Sequence, residues 1–204
     1  MTARWLEPLG GIEALLAAQQ HRAGYDSESW SQLCELGLCS VMVDEALGGT
    51  EMGMEAMSAL CALFGQHLLA SPFFAHAMLA CDLLNQSDAQ SLKAQHLPLW
   101  AVGESLATVA GAGTGTWDGD ALSGAWSDVP RGAQADWVIL QAKDRNQKLV
   151  LALLPCDQFE RSQQDTLDQS RKKASLSAQG LAMDSSSIIA TGDAASRLLS
   201  FTQD

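Results

Sequence analysis

Basic residues are in short supply. Twelve lysines and arginines stand against 24 aspartates and glutamates, giving a formal net charge of −12. That balance excludes nucleic acid as a partner and argues equally against an anionic membrane surface, since both are held by basic patches. It also leaves little side-chain charge for any anionic ligand. Charged residues make up only 18% of the chain against 47% hydrophobic, so persistent disorder is excluded as well. A chain of 204 residues has room for one large domain or two small ones.

No apolar run reaches the ~20 residues of a membrane-spanning helix. The opening "MTARWLEPLGGIEALLAAQQ" lacks a basic stretch followed by an apolar one, so it does not read as a secretion signal. The five cysteines are odd in number and none forms a CxxC pair. Four of them, Cys34, Cys39, Cys61 and Cys81, lie in apolar, helix-like surroundings, where a free thiol behaves as a small hydrophobe. A reducing, cytoplasmic setting is expected. The four histidines are scattered, so no metal site is expected. GxSxG and GxxxxGK[ST] are both missing, which removes the usual serine-hydrolase and P-loop signatures.

What is present begins as helices. "GGIEALLAAQQHR" puts Ile12, Leu15, Leu16 and Gln19 on one face, and "DSESWSQLCELG" repeats the period through Trp30, Leu33 and Cys34, with Asp26 or Ser27 as cap. "LCSVMV" is strand-like or a buried connector. Gly48-Gly49 permits a tight reversal, after which "EMGMEAMSALCALFGQHLL" recovers helical spacing through Met54, Met57, Leu60 and Phe64. A fourth helix is expected in "PFFAHAMLACDLL", with Pro72 in its first turn. "NQSDAQSLKAQHLP" breaks the pattern and is expected to hold a short helix at most.

From about Leu99 the character changes to glycine and short apolar bursts. "DWVILQA" and "KLVLALLP" read as strands joined through "KDRNQ", and "WDGDALSGAW" carries an Asp-Gly turn between two more. "DQFERSQQDTLDQSRKKA" reads as a surface loop before a strand "ASLSAQGLAM", and "DAASRLLSFTQD" begins a helix. The expected fold is α+β: an all-α N-terminal domain, then an antiparallel, β-barrel-like middle domain.

The stretch "WSQLCELGLCSVMVDEALGGTEMGMEAMSALCALFGQHLLASP" resembles the N-terminal domain of the acyl-CoA dehydrogenase family. It carries Trp30, Leu36-Gly37-Leu38, the Val43-Asp44-Glu45 approach to Gly48-Gly49, and Phe64-Gly65 running on to Pro72. "DGDALSGAWSDVPRGAQADWVILQA" is similar to that family's middle domain, and "TLDQSR" to its later "D.TR" segment. The resemblance covers residues 10 to 204. It implies a helical domain over residues 1–98, a middle β domain over 99–192, and over 193–204 the start of a C-terminal helix whose domain is missing. It also implies noncovalent FAD, an acyl-CoA substrate from fatty acid or steroid side-chain degradation, α,β-dehydrogenation, and a homo- or hetero-oligomer with another acyl-CoA dehydrogenase chain. The catalytic glutamate would belong to the missing domain, so no catalytic residue is expected here.

Two segments depart from the family. "TVAGAGTGT" stands where "TEP.AGSD" is usual, and "WSDVP" where "K.WIt" is usual. By the resemblance, Thr108, Ala110 and Gly111 in the first, and Trp126, Val129 and Pro130 in the second, are the residues beside the flavin. Trp126 is equally at home filling a β core. Arg171 is implied on the acyl-CoA side, though with Asp168 it also reads as a surface pair. Asp44 and Glu45 before a double glycine read as turn residues, and Met52, Met54 and Met57 as packing. Divergent relatives of this kind include heteromers in which one subunit has lost catalytic residues, so a non-catalytic partner subunit is the alternative.

Overall fold

The computed structural model describes residues 6–111 and 113–200. Helices α1 (Ile12–Gln20), α2 (Ser27–Glu35) and α3 (Gly53–Gln66) come first. Asp26 caps α2, its carboxylate accepting from the Ser29 N–H at 2.8 Å. The expected apolar face of α1 is not a core face: Ile12 and Leu16 are exposed and only Ala18 is buried. "LCSVMV" is a connector, a 3₁₀ turn (Leu38–Ser40) leading into buried Val41, Met42 and Val43.

The reversal that follows needs both glycines. Gly48 has φ 84°, and a Cβ on Gly49 would fall 1.8 Å from the Val43 carbonyl oxygen. Asp44 anchors this turn by accepting from Asn85 Nδ2 at 2.8 Å. Of the three methionines, Met57 is fully buried while Met52 and Met54 are exposed.

Pro72 accepts at its carbonyl from the His76 N–H, opening a π-helical segment (Phe74–Cys81) that continues into α4 (Asp82–Asn85). The next stretch corrects the reading of a short helix at most. Helix α5 (Gln90–Ala101) has twelve residues and contains Pro98. Burial of Leu97 and Trp100 outweighs the proline's cost.

Eight strands make one sheet: β1 (Ala107–Val109), β2 (Thr116–Trp117), β3 (Ala121–Pro130), β4 (Trp137–Lys143), β5 (Leu149–Pro155), β6 (Glu160–Gln164), β7 (Lys173–Ala182) and β8 (Ile188–Thr191). Their order is β6-β7-β3-β2-β4-β5-β8, with β1 parallel to β4. Pairing is otherwise antiparallel except for a single parallel contact of β2 with β4. The sheet is open, with β6 and β8 at its edges, so the barrel-like expectation is corrected to an open sheet. Where the sequence predicts a loop, β6 is an edge strand paired with β7, and its exposed polar residues give no alternating signal.

Both expected turns are built by an aspartate. Asp118 Oδ1 accepts from Asp120 and Ala121 N–H, and Asp144 Oδ1 from Asn146 and Lys148 N–H. Helix α6 (Gly192–Ser200) buries Ala195 and Leu198 on the second core cluster; residues 201–204 of the expected C-terminal helix lie outside the described residues.

The helical layer and the sheet share their cores. One cluster joins Leu33, Phe64 and Phe73 to Trp126, Val129 and Val138; the other joins Leu84, Leu97 and Trp100 to Ile139 and Leu151. A buried histidine bridges the layers: His76 Nδ1 accepts from the Ala107 N–H at 2.9 Å while Nε2 donates to the Trp100 carbonyl at 3.0 Å. Among the described residues, all five cysteines are free, no helix is long and apolar enough to cross a membrane, and no cluster of metal-ligating side chains occurs.

Candidate functional site

Two cavities lie along β3, one at its middle and one past its end. The first is a groove of ≈ 480 Å³ lined by Gly113, Thr114, Ala125, Trp126, Ser127 and Ser175. Trp126 lies beneath it, only 1% exposed, with its indole N–H donating to the Gln141 carbonyl at 2.9 Å. The segment before β2 is laid over β3 by one main-chain and one side-chain bond, the Thr114 N–H donating to the Ala125 carbonyl at 3.0 Å and Thr114 Oγ1 accepting from the Ala125 N–H.

The second cavity is a cleft of ≈ 490 Å³ between the two layers. One wall is apolar and runs from the end of α3 through the following turn to the start of the π-helical segment: Phe64, Leu68, Leu69, Phe73 and Phe74. The other wall is Pro130 and Arg131 at the end of β3, with Arg171, Lys172 and Lys173 at the start of β7. Arg131 sits in a left-handed turn, φ 56°, that its own main chain stabilises: its N–H donates to the Lys172 carbonyl and its carbonyl accepts from the Ala135 N–H. Its guanidinium crosses to the helical layer, donating to the Ala23 carbonyl at 2.6 Å and to the Ser71 carbonyl at 3.5 Å, over the Tyr25 ring. Burial pulls its pKa down to about 10, and nearby Arg171 pushes the same way, yet it stays charged at neutral pH.

The sequence-expected residues divide between these places. Thr108 is fully buried and its hydroxyl is used on the Pro130 carbonyl; Ala110 is buried with its N–H on the Ile139 carbonyl; Val129 is buried. These three shape β1 and β3 from behind. Trp126 lies beneath the groove, Gly111 is exposed beside a residue outside the described set, and Pro130 and Arg171 meet in the cleft. Asp168 does not pair with Arg171 within ion-pair distance; it accepts from Ser170, whose side-chain bond is the main reason its carboxyl lies below the ordinary range.

Sequence reasoning missed Thr114, Ala125, Ser127 and Ser175 on the groove, and Arg131 and Lys172 in the cleft. Strand alternation held the signal for two of them, because Ala125 and Ser127 flank inward-facing Trp126 and must face out.

No carboxylate and no histidine lines either cavity among the described residues. Cys61, a thiol lining the cleft, has its pKa raised by burial, so it offers no ready base. The groove offers a flavin ring the main chain around Gly113 and the side chains of Thr114, Ser127 and Ser175, over a buried Trp126; among the described residues no cation lines it to meet the phosphates.

Residues 12–104 match the acyl-CoA dehydrogenase N-terminal domain. Among solved structures, the ChsE4-ChsE5 complex from Mycobacterium tuberculosis superposes with a TM-score of 0.85 at 19% identity, covering 96% of this chain and 56% of that one. The Tcur3481-Tcur3483 steroid ACAD G363A variant gives 0.80 at 22% identity, covering 97% and 57%. An acyl-CoA dehydrogenase from Geobacillus kaustophilus gives 0.80 at 18%, covering 98% and 59%. The chain thus spans somewhat more than half the length of these proteins. No curated protein matches the sequence.

Proposed function

We propose that this chain, whose residues 12–104 carry the acyl-CoA dehydrogenase N-terminal domain and whose helical layer and sheet together share that family's fold, is one part of a flavin-dependent acyl-CoA dehydrogenase. The observation that carries the reading is the placement of two cavities along β3 with no base in either among the described residues. Trp126, Gly111, Thr114 and Ser127 would hold FAD at the groove, with Thr108, Ala110, Val129 and Pro130 shaping the strands behind it. A bound flavin supplies the hydride acceptor for α,β-dehydrogenation of an acyl-CoA thioester from fatty acid or steroid side-chain breakdown.

The chain's own residues bind and orient. Phe64, Phe73 and Leu68 keep water from an acyl group in the cleft, and Arg171 faces the charged portion of the substrate. The α-proton must be taken by a carboxylate outside the described residues, from the same assembly, which is cytoplasmic and a homo- or hetero-oligomer in this reading.

The same lack of a base favours a second reading, a non-catalytic subunit that completes the site of a partner dehydrogenase. Absorption and fluorescence of the purified chain titrated with FAD, then with an acyl-CoA, separate the two. Retained flavin that acyl-CoA does not bleach supports a cofactor-holding part of an enzyme. Bleaching by the chain alone would overturn the missing-base reading. Failure to retain FAD would leave the partner role.

A further inference from the structure

Two buried thiols meet at the end of α2, and neither lines the groove or the cleft. Cys34 Sγ and Cys39 Sγ are 2.8 Å apart. The sulfur contacts of Cys61 are looser, 3.9 Å to Met57 and 4.0 Å to Met78. The Cys34–Cys39 separation is nearer to the length of a disulfide bond, about 2 Å, than to those packing distances.

The local backbone holds the two sulfurs together. Gly37, at φ 72°, ends α2 with its N–H on the Cys34 carbonyl at 2.9 Å, and its own carbonyl accepts from the Ser40 N–H and hydroxyl. That reversal turns the 3₁₀ segment back, so that Cys39 faces Cys34 from five positions along the chain. Cys39 is fully buried, while Cys34 keeps 8% exposure. Gly103 lies over Cys34, and a Cβ there would fall 2.4 Å from the sulfur. The entropy of bringing the sulfurs together is thus already lost on folding, and bonding them asks only for a small shift of two side chains.

We infer that Cys34 and Cys39 form a redox modification site, which closes to a disulfide when hydrogen peroxide reaches the folded chain. Cys34, the sulfur with access, attacks the peroxide. An S–O bond forms, the O–O bond breaks and water leaves, giving a sulfenic acid. Cys39 then attacks the Cys34 sulfur: the S–S bond forms, the S–O bond breaks, and the departing hydroxide takes the Cys39 proton as a second water. Two thiols are oxidised and one peroxide is reduced. Burial, with Cys34 beside it, raises the Cys39 pKa, so Cys39 stays protonated until the sulfenic acid forms. In a reducing compartment the pair rests as thiols, and a small thiol such as glutathione reopens the bond by exchange. The bond ties α2 to Ser40, whose carbonyl accepts from both the Val43 and the Thr50 N–H, and so to the base of the Gly48-Gly49 reversal.

Hydrogen peroxide added to the folded 204-residue chain, at a concentration of protein too low for links between chains, tests this. The treated chain is then unfolded, alkylated and mapped by mass. Cys34 and Cys39 should both escape alkylation, and dithiothreitol should restore both. Cleavage after Glu35 and Glu45 separates the two cysteines in sequence, so their fragments should stay joined until reduced. Cys81→Ser, which removes the other thiol acting on the Cys39 pKa, should leave the joined fragments unchanged. Full alkylation of Cys34 and Cys39, a link from either to another cysteine, or a loss at them that dithiothreitol does not restore would overturn the proposal.

Discussion

The indole of Trp126 lies against the main chain of Gly113, so close that a Cβ there would sit 2.3 Å from its Cδ1. The glycines of "AGAGTGT" therefore admit a tryptophan of the same protein. Replacing Gly113 with alanine must displace the ring or lift the segment off β3, which should cost about 1–3 kcal/mol. Urea denaturation of Gly113→Ala checks this, and an unchanged midpoint would mean that the segment moves freely.

From the β3–β4 turn Arg131 reaches both the Ala23 and the Ser71 carbonyl of the helical layer. Arg131→Ala leaves the Ala23 carbonyl without its charged donor, and stability should fall by about 2 kcal/mol. Arg131→Lys restores the charge but not the fork, so it should recover only part of the loss. Thermal melts of the two variants beside the parent give the comparison.

Acid should destabilise the fold before the surface carboxylates with lowered pKa values titrate. His76 is buried with its pKa driven below 6.5, chiefly by desolvation, and His96 shifts the same way for the same reason. A histidine kept neutral in the folded state binds no proton there, whereas the unfolded chain takes one up below about 6.5. Stability is therefore full above that value and declines as pH falls from about 6.5 toward the lowered folded pKa. The surface carboxylates Asp26, Asp168 and Asp184, whose pKa values are lowered by serine hydrogen bonds, lose their contribution only below about 4. Denaturation midpoints at pH 7, 6 and 5 should drop in step, and His76→Gln should flatten the slope.

Thiol reactivity should single out one cysteine. Cys61 is half-buried, whereas Cys34, Cys39, Cys81 and Cys156 are buried, with burial raising the pKa of Cys39, Cys81 and Cys156. A thiol reagent added to the native chain should label Cys61 first and the rest only on unfolding. Fast labelling of Cys34 or Cys39, whose sulfurs lie 2.8 Å apart, would contradict the packing of α2 on the 3₁₀ turn.

The sequence was readable where local chemistry and tertiary packing agree. The strands "DWVILQA" and "KLVLALLP" and their aspartate-built turn announce themselves through composition alone. Helix α5 did not, because Pro98 signals a break and the residues that overrule it, Leu97 and Trp100, act only through contacts with distant segments. The cleft was legible only in part: Arg171 came from a motif, while Arg131 stands forty residues away in the chain and meets it through the pairing of β3 with β7. Charge counted over the whole sequence concealed that local cluster.

Because Trp126 and Val129 share a core with Leu33 and Phe73, and because His76 holds the start of β1, neither layer has a hydrophobic interior of its own. The molecule should behave as a single cooperative unit, melting in one transition rather than two. A chimera that exchanges only the helices for those of a relative would inherit half of each interior, and so would need the facing strand residues transplanted with them.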